Sequence, residues 1–135
     1  MNERLADERT AIWVPGAWHS GAPYTPAIRI GRLLMTSGLV SIDLSSGESY
    51  GSNIGEQTTR VLQNLRLVLE AGGANLGDVV KVTVYLTDTS MAAGMNAAYK
   101  EFFPSPYPAR STVQVGPLAR AEFLIEIDAI AVVKE

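Results

Sequence analysis

Few residues in this chain can do chemistry, and their placement is informative. In "FLIEIDAIAVV", Phe123, Ile125, Ile127, Ala129 and Ala131 alternate with Leu124, Glu126, Asp128, Ile130 and Val132. Successive side chains of a strand point to opposite faces, so Glu126 and Asp128 share one face. Two carboxylates bracketed by aliphatic neighbours are costly to bury unless they are paired or used in proton transfer. Upstream, "YPARSTVQV" sets Arg110 at the threshold of a strand. A guanidinium is a rigid fork of donors that matches a carboxylate through two parallel bonds. If strands Arg110–Val115 and Phe123–Val133 pair, Arg110 comes near one of the two acids. It then either neutralises a structural carboxylate or binds the carboxylate of a small ligand, and the pattern alone leaves both open. Thr112, two residues on, points to the same side as Arg110.

Other chemistries are excluded or disfavoured. The single histidine, His19, lies in the loop "GAWHSGAPYTP" and has no second histidine to complete a zinc site. It reads as an ordinary loop residue, and a serine–histidine mechanism has no support. Trp13, Trp18 and Tyr24 lie near it and suggest core or interface packing. There is no cysteine, which removes thiolate catalysis, disulfides and cysteine-ligated metal. The glycines of "AGGANLGD" follow a helix and precede a strand, whereas phosphate loops run from strand to helix. Net charge is −3 with no basic cluster, so nucleic acid is not the expected partner. No apolar run approaches the ~20 residues of a membrane span. "MNERLADERT" lacks the apolar core of a secretory signal. A soluble cytoplasmic protein is the simplest expectation.

The elements that must position these residues follow from periodicity. At 135 residues, one domain over 1–135 is expected, with residues 1–10 loosely ordered. "AIWVP" reads as a short strand, and "AIRIG" and "RLLMTSGLV" as two strands turning at Gly31-Arg32. Asn53 and Glu56 have the spacing of a capping box, and Val61, Leu62, Leu65, Val68 and Leu69 follow helical spacing to a stop at Gly72-Gly73. "VVKVTVYLTD" alternates, with Val80, Val82, Val84 and Leu86 on one face. A second helix is predicted from Met91 to Phe103, capped by Thr89 or Ser90, with Met95, Ala98 and Phe102 on its stripe. The order predicts an α+β fold, one sheet with two helices on one face. Tyr85, Leu124, Ile130 and Val132 fall on the opposite face, and so much apolar surface there points to oligomerisation.

"GAPYTPAI", "MTSGLV", "EQTTRVLQNLRLVLEAGGANLGDVVKVTVYLTD", "MNAAYKEFF", "YPARS" and "IEIDAIAV" occur in this order. Together they resemble the RidA/YjgF family, also called endoribonuclease L-PSP, over nearly the whole chain from Gly21 to Val133. The resemblance implies a chorismate-mutase-like fold of a mixed sheet with two helices on one face. It also implies homotrimers with clefts between subunits. It implies hydrolysis of reactive 2-enamine and 2-imine acids, such as 2-aminoacrylate or 2-iminopropionate, to 2-keto acids and ammonia, without cofactor or metal. Residue by residue, it implies that Arg110 holds the substrate carboxylate and that Glu126 orients water. Tyr24, Ser37, Gly38, Asn96 and Thr112 then line the cleft, and Asp128 stands where a second glutamate is common. Leu39 replaces a common glutamine, Thr112 a small residue or cysteine, and Ala22 the glycine before proline and tyrosine. A non-catalytic trimer binding small carboxylates or a partner protein is the alternative, as is a deaminase of a larger substrate such as 2-aminomuconate. RNA cleavage, suggested by the family's older name, is disfavoured by the charge.

Overall fold

The computed structural model describes residues 8–135. Its elements are β1 (Thr10–Ile12), β2 (Ala27–Ile30), β3 (Leu33–Thr36), α1 (Ile54–Ala71), β4 (Val79–Leu86), α2 (Ala92–Tyr99), β5 (Ala109–Gln114) and β6 (Ile125–Val132). The six strands form one mixed sheet in the order β1-β2-β3-β6-β4-β5. All neighbours are antiparallel except β4 and β5, which are parallel. The expected looseness of residues 1–10 falls mostly on 1–7, outside the described residues, while Thr10 already opens β1.

The strand order corrects one expectation. β5 does not pair with β6, because β4 lies between them. The physical reason is α2: a helical crossover returns the chain parallel to the strand it left. The central place goes to β6, whose residues are apolar on both faces apart from Glu126 and Asp128.

α1 forms where the pattern predicts. Asn53 accepts the Glu56 N–H at 2.9 Å, but Glu56 reaches back to the N–H of Ser52 (3.0 Å) rather than to Asn53. Val61, Leu62, Leu65, Val68 and Leu69 are buried, each contributing about 1.5–3 kcal/mol against exposure. The helix stops at Gly72; Gly73 then takes φ +90°, a turn an L side chain resists. Gln57, also buried, donates to the carbonyls of Gly51 (3.1 Å) and Glu122 (2.9 Å) and accepts the Leu124 N–H (2.8 Å). It ties the start of α1 to the entry of β6.

Two details depart from the periodic reading. Val79 pairs with Ala131 and Lys81 with Ile130, so the chain bulges at Val80. Val79 is therefore buried in its place and Val80 is 48% exposed. The second helix is shorter than predicted. Asp88, not Thr89 or Ser90, caps the 3-10 turn Thr89–Met91 that leads into α2 by accepting the Ser90 N–H. Its buried stripe is Met95, Tyr99 and, just past its end, Phe103, at steps of four.

Both helices cover the face carrying Leu34, Val82, Val84, Leu86, Ile125, Ile127, Ala129 and Ala131. By register, Ile28, Met35, Leu33, Ile130 and Val132 lie on the other face with Tyr85, Glu126 and Asp128. Among the described residues, no helix is long and apolar enough to cross a membrane.

Candidate active site

Arg110 stands opposite Val82 in the β4–β5 register, so its side chain lies on the helix side. There α2 receives it. Its Nη1 lies 3.8 Å from the Met95 sulfur, and its guanidinium lies 4.7 Å from the Tyr99 ring centroid. A cation over an aromatic face contributes about 0.5–1 kcal/mol at such exposed sites and holds the fork in one orientation. No carboxylate pairs with Arg110 among the described residues; the single ion pair there is Lys134 with Asp78. Arg110, Asn96, Tyr99, Lys100, Tyr107 and Pro108 line an open cleft of about 470 Å³, within the usual range of small-molecule clefts. No acid lines it. Thr112, opposite Val84, faces the same side as Arg110.

Glu126 belongs to a different neighbourhood. It pairs with Tyr85 on the uncovered face. Burial pushes its pKa above the ordinary carboxylate range, and the neighbouring Asp128 charge adds to that. Asp128 in turn accepts the Tyr85 hydroxyl at 2.8 Å, which helps raise the tyrosine pKa. Gly38 sits directly against Glu126. A Cβ there would fall 2.7 Å from the Glu126 carboxyl carbon and closer still to Oε2. Only glycine lets the carboxylate lie where it does.

The remaining expected residues gather near this second group. The Ser37 N–H donates to the Pro26 carbonyl (2.8 Å) and its hydroxyl to the Thr25 carbonyl. Ser37 therefore anchors the segment that follows Tyr24, and its donor is already engaged. Tyr24 is half exposed, its ring 4.7 Å from that of His19. Its carbonyl accepts His19 Nε2 (3.0 Å), while His19 Nδ1 accepts the Gly21 N–H (3.0 Å). His19 is thus a loop residue with both nitrogens bonded. Leu39 exchanges backbone bonds with Ile127 and packs against the core, away from Glu126.

Arg110 and Asn96 therefore line one cleft on the helix side at the sheet edge, while Thr112 shares that face without lining the cleft. Glu126 and Gly38 meet beyond β4, with Ser37 next to Gly38 in the chain and Tyr24 lining a cavity that Gly38 also lines. The expectation that Arg110 approaches Glu126 or Asp128 through strand pairing is overturned, since β4 intervenes and the side chains occupy opposite faces. Tyr99, Lys100 and Tyr107 were not expected in the cleft. Tyr99 follows Asn96 by three residues on α2, a spacing that would have placed both on one helix face.

The profile of the family described as Endoribonuclease L-PSP matches residues 16–133. A RutC family protein of Pyrococcus abyssi is 46% identical over 109 residues, 81% of this chain and 85% of its own length. The 2-iminobutanoate/2-iminopropanoate deaminase of Salmonella typhimurium is 36% identical over 113 residues, 82% of this chain and 87% of its own. The crystal structure of E. coli TdcF with bound serine superposes with a TM-score of 0.84 at 33% identity, covering 93% of this chain and 99% of TdcF. The mixed six-stranded sheet with its two helices is the chorismate-mutase-like fold of these proteins. On sequence and on fold alike, the chain belongs to the endoribonuclease L-PSP family, the RidA/YjgF proteins.

Proposed function

We propose that the protein is a cofactor-independent hydrolase of 2-imino acids, releasing 2-oxo acids and ammonia. The observation that carries this reading is Arg110: a guanidinium steadied by Tyr99 and Met95, in an acid-free cleft, with no carboxylate of its own. A substrate carboxylate accepted there gains charge-assisted bonds of about 1.5–3 kcal/mol each. The protonated imine carbon is then the electrophile. Glu126 takes a proton from water as its oxygen attacks that carbon, returns it to nitrogen as the C–N bond of the carbinolamine breaks, and takes the hydroxyl proton as the carbonyl forms, passing it to the departing ammonia. R–C(=NH2+)–COO− and water thus yield R–CO–COO− and ammonium. A carboxyl whose pKa is raised toward working pH suits these proton transfers. The deaminase name of the Salmonella relative and the serine held by TdcF support a small amino- or imino-acid ligand.

Arg110 and Glu126 occupy opposite faces of one sheet, so the reaction needs the Glu126 of a second copy beside the Arg110 of the first. We read the assembly as a homotrimer with its sites between subunits. To test the activity, the protein is added to a threonine or serine dehydratase reaction with semicarbazide present to trap free imine. Faster release of 2-oxo acid and less semicarbazone are expected. Binding of 2-oxobutanoate without any acceleration would instead make the protein a carboxylate-binding relative.

A further inference from the structure

We propose that Tyr99 is a second direct contact of the ligand that Arg110 holds, its hydroxyl donating to the same carboxylate. This rests on the reading of Arg110 as the carboxylate clamp. Tyr99 is only 4% exposed, yet among the described residues its hydroxyl has no partner within hydrogen-bonding geometry. Buried hydroxyls in folded proteins are nearly always paired, because a donor removed from water without a partner costs free energy. An orphan of this kind calls for an explanation, and its surroundings supply one.

Tyr99 lines the same cleft as Arg110, and it is the one buried residue of the six that do. It therefore forms the floor, while Asn96, Lys100, Tyr107, Pro108 and Arg110 form the walls and rim. Arg110 lies over its ring, so fork and phenol ring border the same cleft, with the phenol oxygen buried beneath its surface. Burial pushes the phenol pKa up, opposed by the Arg110 charge and by the approach of an Arg110 N–H to the phenol oxygen, so the hydroxyl proton is kept and remains free to be donated. A carboxylate has about four acceptor positions. Arg110 occupies two of them in a forked pair and leaves room for the phenol.

The test is Tyr99→Phe, which deletes one oxygen and preserves the ring under Arg110. If the hydroxyl waits for a ligand, the free variant loses no bond, and its thermal midpoint stays equal or rises. Its Kd for 2-oxobutanoate, measured by calorimetry, and its KM for the imine rise about tenfold, with kcat within a few-fold. Unchanged Kd and KM in Tyr99→Phe, alongside lost binding in Arg110→Ala, would overturn the inference and leave the clamp standing. A Tyr99→Phe chain that fails to fold, or melts markedly lower, would give the hydroxyl a structural partner and also overturn it. Wild-type protein that neither binds the oxo acid nor accelerates release would overturn the clamp as well.

Discussion

Arg29 and Arg32 engage their donors with backbone carbonyls at 2.8 Å, and Arg120 with a carbonyl and a hydroxyl. Among the described residues, Arg110 reaches a thioether and a ring and no carbonyl or carboxylate. It can therefore be removed cheaply. Arg110→Ala should leave the thermal midpoint within a few degrees, yet lower kcat/KM at least about 100-fold, the loss of a charge-assisted forked pair. Arg110→Lys keeps the charge without the fork and should recover only part of it. Steady-state kinetics and a melt separate the two effects. Glu126 behaves differently because its pKa is raised. The folded chain holds the proton longer than the unfolded one. Its contribution to stability is thus fullest below the ordinary carboxylate pKa and is lost as pH rises through the raised value. Glu126→Gln should melt higher at neutral pH while kcat falls about 100-fold or more. Asp128→Asn removes the like charge and should move the acid limb of kcat/KM to lower pH. Arg110 stands out in the sequence because a cation at a strand entrance needs a reason. Tyr99 does not, because an aromatic at helical spacing reads as core until its hydroxyl is found without a partner.

At the scale of elements, the segment after β3 and the strand β6 meet at one point, Gly38 against Glu126. Gly38→Ala pushes a methyl into the far end of a flexible side chain, which can swing aside. The fold should survive with its midpoint within a few degrees, while turnover falls as far as in Glu126→Gln. Gly47→Ala is the contrasting control. Gly47 sits at φ +77° with the Trp18 ring packed on its Cα. A side chain there meets both backbone strain and an aromatic wall, costing about 1–3 kcal/mol with no direct effect on the site. Melts and kinetics on the pair tell positioning from stability. Why some of this architecture was legible is clear from particular strands. β4 and β6 announce themselves by alternation, and α1 by its caps and its stripe of leucine and valine. The bulge at Val80 was not legible, since one inserted residue leaves no compositional trace. Nor was the insertion of β4 between β5 and β6, which depends on the crossover through α2 rather than on any residue of the strands.

The whole molecule poses the question that its parts leave. β6 carries aliphatic residues on both faces, and a strand apolar on both sides asks to be covered on both. Which chemical groups the covering would bring together depends on the strand order. Within one chain, Arg110 and Glu126 project from opposite faces with β4 between them, so a joint site must draw them from different copies. Complementation tests this directly. Arg110→Ala and Glu126→Gln chains, each nearly inactive alone, are mixed in equal amounts, unfolded and refolded together. If every site takes its arginine from one copy and its glutamate from another, the two are drawn independently. About a quarter of the sites then regain both groups, whatever the number of copies in the ring. Activity near a quarter of a wild-type control refolded the same way is expected, at unchanged KM. If both groups acted within one chain, no mixture could restore a complete site, and activity would stay at the sum of the two variants. Refolding the chains separately before mixing should give that lower value too, unless the copies exchange in solution, and a slow rise in activity after mixing would then time the exchange.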